Sequence, residues 1–202
     1  MKKIYIILTH TGTLLSNIIK FYTKDEFSHV SISLDENLNE MYSFGRLHPY
    51  NPILGGFVHE QINKGIFKRF KYTIAEVYSL NIEDSQYDRI NQLIKNIKES
   101  PKPYKFNFIG LVAVSLNKNI HIKRSFYCAE FVKYLFEQAY IPNNLPDIIK
   151  PQDFKDLKGI QLIYRGFINK YIKNKNSVLN KIKENINFQS KREGIIWVEA
   201  KK

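Results

Sequence analysis

Apolar and polar positions along this chain follow two periods. Val30, Ile32 and Leu34 alternate with His29, Ser31 and Ser33, which is the rhythm of a strand buried on one face. Lys3 to Leu8 reads as a first strand, and Glu40 to Gly45 as the strand that returns from the 29–34 segment. A three-residue turn at Asp35-Glu36-Asn37 would set Ser43 opposite His29. Phe70 to Leu80 predicts a further strand, with Tyr72, Ile74, Val77 and Tyr78 as its candidates for burial, and Ile160 to Tyr164 a last core strand.

Helical spacing appears elsewhere. Leu14, Leu15, Ile18, Ile19 and Tyr22 predict one helix, and Tyr87, Ile90, Ile94 and Ile97 predict another over 85–100, capped by Asp84 or Ser85. A third starts near Ser125, its N-cap, and carries an apolar stripe of Phe131, Val132, Leu135 and Phe136. Phe106 to Leu116 is almost wholly apolar and too short to span a bilayer, which predicts a buried helix packed against the 125–136 helix. The prolines and glycines between 46 and 60 predict an irregular loop framing a site. Together these elements predict an α+β fold, an antiparallel sheet with helices packed against it.

Composition changes this picture in three places. A single cysteine among 202 residues excludes an internal disulfide, so the chain suits a reducing compartment and is expected in the cytoplasm. The apolar run after Lys2-Lys3 ends at Leu8, which favours a buried strand over a signal peptide. The net charge of +12 is concentrated at the end: residues 169–202 hold nine Lys/Arg against three glutamates. We therefore divide the chain into a domain over 1–168 and a basic extension over 169–202, docked on that domain. The extension is a solvated face or a weak attachment to anionic membrane surfaces. Nucleic acid is disfavoured, because no aromatic-basic interleaving or helix-turn-helix pattern accompanies the charge. Residues 171–186 carry helical fragments and 195–198 a short strand-like end.

Candidate chemistry rests on Cys128 and His29. A thiol in the first turn of a helix lies where the helix field suits an anion, and the thiolate is the competent nucleophile. Histidine on a polar strand face can take the thiol proton. A third group must hold the imidazole, and Ser43 fills that place, with Glu40 as the alternative if the hairpin is shifted and Glu60 the next residue in line. His59-Glu60 is a weak pair, since adjacent residues of an extended segment point apart. The scattered histidines show no metal-ligand spacing, so neither a metal nor another cofactor is expected.

The segment Tyr127-Cys128-Ala129-Glu130-Phe131-Val132, preceded in the chain by Phe27-Ser28-His29-Val30-Ser31-Ile32, resembles the circularly permuted papain-fold cysteine hydrolases of the YiiX-like branch. These are relatives of NlpC-like endopeptidases and, more remotely, of lecithin:retinol acyltransferase. The match runs from about Leu8 to Tyr164. The resemblance implies a permuted papain-like fold, Cys128 as nucleophile and His29 as general base. It also implies a small-molecule, lipid or peptide substrate with an amide or ester bond. YiiX-like members carry an acidic residue on the strand after the histidine, where this chain has Ser43 in Tyr42-Ser43-Phe44-Gly45. Two other readings stay open: a catalytically silent papain-like domain that binds lipid or peptide, and a basic structural protein with no site.

Overall fold

Lys2–His10 forms β1, an interior strand of the sheet, and its run from Ile4 to Leu8 is buried without a break. Such a run belongs to a strand covered on both faces rather than one half in water. A computed structural model describes residues 1–11, 25–48 and 51–180. The helix expected at 14–22, most of the 171–186 fragments and the 195–198 end lie outside the described residues. The chain divides into two units, Met1–Asn169 and Lys170–Lys202, and in the second residues 171–180 are helical.

The first unit is α+β. After β1 come β2 (His29–Ser33), β3 (Met41–His48), β4 (Asn51–Glu60), α1 (Gly65–Arg69), β5 (Ile74–Ile82) and α2 (Asp84–Lys98). Then follow β6 (Lys105–Phe106), α3 (Phe108–Ser115), β7 (Ser125–Phe126), α4 (Cys128–Gln138), a 3-10 turn at Pro151–Asp156 and β8 (Gln161–Phe167). Among the described residues one eight-stranded sheet runs in the order β7-β6-β4-β3-β2-β1-β5-β8. The expected antiparallel sheet holds except at one edge, where β6 and β7 pair in parallel.

The sheet face that carries Ile32, Tyr42, Phe44 and Phe57 meets α4. Phe131 of that helix lies 5.1 Å from the Phe44 ring and 5.8 Å from the Phe57 ring, centroid to centroid. Phe131, Val132, Leu135 and Phe136 are fully buried, as their spacing predicts. In α2, Ile90, Ile94 and Ile97 are buried too. Its cap is Glu83, one residue earlier than expected, and the Glu83 N–H donates to Gln86 Oε1 (3.0 Å).

Several local expectations fail for identifiable reasons. The β2–β3 turn spans five residues, not three. Asp35 accepts from the N–H of Asn37 (2.9 Å) and of Glu40 (2.6 Å), and buried Leu38 takes a left-handed conformation at φ 58°. The 46–60 stretch is a hairpin arm, not a loop. Its Gly55 reflects close packing: a Cβ there would stand 2.8 Å from Phe106. Tyr72 precedes β5 and is 82% exposed, and Ile74 is also exposed, while Val77 and Tyr78 are buried. β8 is an edge strand whose Leu162 and Ile163 face solvent. Ser125 belongs to β7, paired with Lys105, and the N-cap of α4 is Tyr127. Finally, α3 is only half buried: Ala113 and Val114 face the core, whereas Phe108, Ile109 and Val112 are exposed.

Candidate active site

Cys128 is the first residue of α4, and two contacts on the preceding residue fix that start. The Tyr127 hydroxyl donates to the Ile149 carbonyl (3.0 Å), and the Tyr127 N–H donates to Glu130 Oε2 (3.1 Å). The same Glu130 oxygen accepts from Asn107 Nδ2 (3.1 Å), which ties the start of α4 to the start of α3. Cys128 is a free thiol, 4% exposed.

His29 opens β2, and the pairs Ile32↔Tyr42 and Ser33↔Met41 fix the register with β3. Carried toward the start of β2, that register sets Ser31 beside Ser43 and His29 beside Gly45. Ser43 therefore does not stand opposite His29, and the longer turn is the reason: it moves the pairing by two residues, which preserves the face and changes the partner. Glu40 is exposed and accepts from the Tyr42 hydroxyl, so the alternative carboxylate is away from the site.

The carboxylate at His29 is Glu60, the last residue of β4. Its Oε1 lies 2.9 Å from His29 Nε2 and accepts from Ser43 Oγ at 2.9 Å, and its Oε2 accepts from Ser31 Oγ at 2.5 Å. Two strand spacings, roughly 10 Å, separate the backbones of β4 and β2. Glu60 bridges them because the positions on β3 between are small. Ser43 supplies a hydroxyl, and a Cβ on Gly45 would stand 3.4 Å from His29 Cε1 and 3.8 Å from Glu60 Oε1. His59 does point away, as expected: it stacks on Tyr42 and its Nε2 lies 2.6 Å from the Asn39 carbonyl. The alternation that demotes the pair is what aims Glu60 at the histidine.

The electrostatics follow from this burial. The Glu60 and His29 side chains are 10% and 20% exposed. Burial opposes charge on the imidazole, but the Glu60 carboxylate and the contact with Cys128 outweigh it, and the His29 pKa is pushed up to about 10. Burial likewise opposes charge on Glu60, but His29, Ser31 and Ser43 hold its pKa below the ordinary carboxylate value. With Nε2 engaged by Glu60, Nδ1 is the ring nitrogen left for the thiol.

A pocket of about 70 Å³ opens over Cys128, His29 and Glu60, walled by Phe106, Leu111 and Phe67 and bordered by Arg46. Arg46 sits at an irregularity in the β3–β4 pairing, and burial together with the nearby Arg69 lowers its pKa. A neighbouring pocket of about 200 Å³ shares Arg46 and Glu60 and adds Lys64 and His59. Sequence reasoning singled out neither Ser31 nor Arg46 and ranked Glu60 behind Ser43 and Glu40. The usable signal was the pair of serines, Ser31 and Ser43, on the face of His29: two small buried donors need an acceptor. Among the described residues no group of three or more His, Cys, Asp or Glu is placed to hold a metal ion.

Comparison with protein-family models gives no match. No curated protein matches the chain either.

Proposed function

We propose that this protein is a cysteine hydrolase of the permuted papain-like kind, an amidase, peptidase or acyl-ester hydrolase working through a covalent acyl-enzyme. The observation that carries the reading is the imidazole of His29, held from one side by buried Glu60 and set on the other against the thiol at the start of α4. In this mechanism Cys128 Sγ attacks the substrate carbonyl as the thiolate while His29 carries the proton. The tetrahedral intermediate forms beside the first turn of α4, whose N–H groups point at developing negative charge. His29 then gives its proton to the leaving amine or alcohol, and the carbon–heteroatom bond breaks to leave a thioester on Cys128. Water, deprotonated by His29, cleaves that thioester and restores the pair.

Glu60 takes the part that sequence alone gave to Ser43, holding the ring and supplying the charge against the imidazolium. Ser43 and Ser31 hold Glu60. The narrow pocket suits a slim acyl group, with amide and ester carbonyls both within the chemistry. A reducing compartment such as the cytoplasm keeps Cys128 as the free thiol this chemistry needs.

The test is hydrolysis of a panel of small ester and amide substrates by the wild type and by Cys128→Ala. Turnover lost by about a thousandfold or more in the variant supports the reading. Equal turnover in both overturns it, and no turnover in either leaves a silent domain that binds its ligand.

A further inference from the structure

Helix α3 is apolar from Phe108 to Val114, and a helix that is apolar all round is expected to be buried on every side. Here only one side is. Phe108 (45% exposed), Ile109 (58%), Val112 (48%) and Leu116 (63%) follow helical spacing and form one outward stripe. Ile120 and Ile122, just beyond the helix, are exposed as well. The helix start is pinned in this orientation, because the Gly110 N–H donates to Asn107 Oδ1 (2.8 Å) while Asn107 Nδ2 donates to Glu130. A Cβ at Gly110 would stand 2.2 Å from Asn107 Nδ2, so glycine is what lets the two meet.

Along the segment that carries this stripe the formal charge has one sign. Residues 100–129 contain no aspartate or glutamate, and they contain Lys102, Lys105, Lys118, Lys123 and Arg124. The four lysines are exposed, and none of them is in an ion pair among the described residues. Asp147, whose carbonyl accepts from Asn119 Nδ2 (3.4 Å), carries its carboxylate 3.5 Å from Lys133.

We propose that α3 docks on an anionic lipid surface, its apolar stripe entering the headgroup boundary while the surrounding lysines meet lipid phosphates. A short outward apolar stripe flanked in the chain by exposed cations on flexible stems is the pattern of an interfacial helix. A second copy fits the stripe less well, since a two-fold contact would set these cations against their own counterparts. The docking does not depend on the chemistry at Cys128. Leu111 of the same helix does line the Cys128 pocket, so docking brings the pocket mouth to the lipid boundary.

The experiment is flotation of the full chain with phosphatidylcholine vesicles and with mixed phosphatidylcholine–phosphatidylglycerol vesicles. Wild-type protein, Ile109→Gln/Val112→Ser and Lys105→Gln/Lys118→Gln are compared, with circular dichroism melts to establish that each is folded. All four positions are exposed, so folding is expected to be unaffected. The wild type is expected to float with the mixed vesicles, and the apolar variant and the charge variant are each expected to partition about 30-fold more weakly. Wild type that stays in the soluble fraction with both vesicles overturns the proposal. So does an apolar variant that floats like the wild type, which would assign binding to another part of the chain. A concentration-dependent doubling of mass that the apolar variant abolishes overturns it in favour of a second copy.

Discussion

Replacing Glu60 with glutamine leaves the side chain's length and one hydrogen bond to His29 in place and removes the charge. With Nε2 and Oε1 2.9 Å apart, the two charges are centred about 4 Å from each other, worth roughly 4 kcal/mol at an effective dielectric of about 20. At about 1.4 kcal/mol per pKa unit, that is a fall of about 3 units. The His29 midpoint, raised to about 10 in the wild type, is therefore expected near or below neutrality in Glu60→Gln. The assay is an NMR titration of the His29 Cε1–H signal, assigned by its loss in His29→Ala. Stability must follow the same sign. A raised histidine pKa gives stabilisation that is complete below the unfolded value of 6.5 and is lost as pH rises through about 10. A depressed Glu60 gives stabilisation present above 4.5 and lost as pH falls through its folded value. The wild type thus has a plateau between these limits, and Glu60→Gln flattens both edges. A wild-type midpoint near 6.5, unmoved by the substitution, would refute the reasoning.

Three further outcomes follow from the same geometry. Ser43→Ala removes one hydrogen bond to Glu60 and is expected to cost about 1 kcal/mol in urea unfolding and to slow Cys128 alkylation by iodoacetamide about tenfold or less. Ser43→Glu sets a second carboxylate against Glu60 and lowers the melting temperature, and a faster alkylation in that variant would contradict the arrangement. Glu76 is 2% exposed and receives Arg165 (2.5 Å), Lys155 (2.7 Å) and the Tyr78 hydroxyl (2.7 Å). Glu76→Gln should therefore destabilise by about 3 kcal/mol and leave the alkylation rate of the folded protein unchanged.

The sequence carried the strand of His29 and the helix of Cys128, because each has a clean period of apolar positions. It also carried the shared polar face of His29 and Ser43. Register was not legible: Asp35 closes a five-residue turn through its own side chain, and turn length is decided by that carboxylate and by the burial of Leu38. Glu60 was hidden for a related reason. Gly55 and Gly56 resemble loop punctuation until Phe106 is seen packed against Gly55, and without β4 as a strand there is nothing to aim Glu60. The exposed side of α3 was invisible because Phe108 to Val114 is an unbroken apolar run, with no polar position between Asn107 and Ser115 to mark which face meets water.

The central claim is that Cys128 attacks an acyl carbon with His29 as its proton partner. Intact-mass spectrometry of the protein mixed with a p-nitrophenyl ester and quenched in acid tests it most directly. The account predicts an adduct of one acyl group, mapped to the peptide that contains Cys128, strongly reduced in His29→Ala and decaying with time as water cleaves the thioester. A protein that stays unmodified at Cys128, or a His29→Ala variant acylated as fast as the wild type, would contradict it.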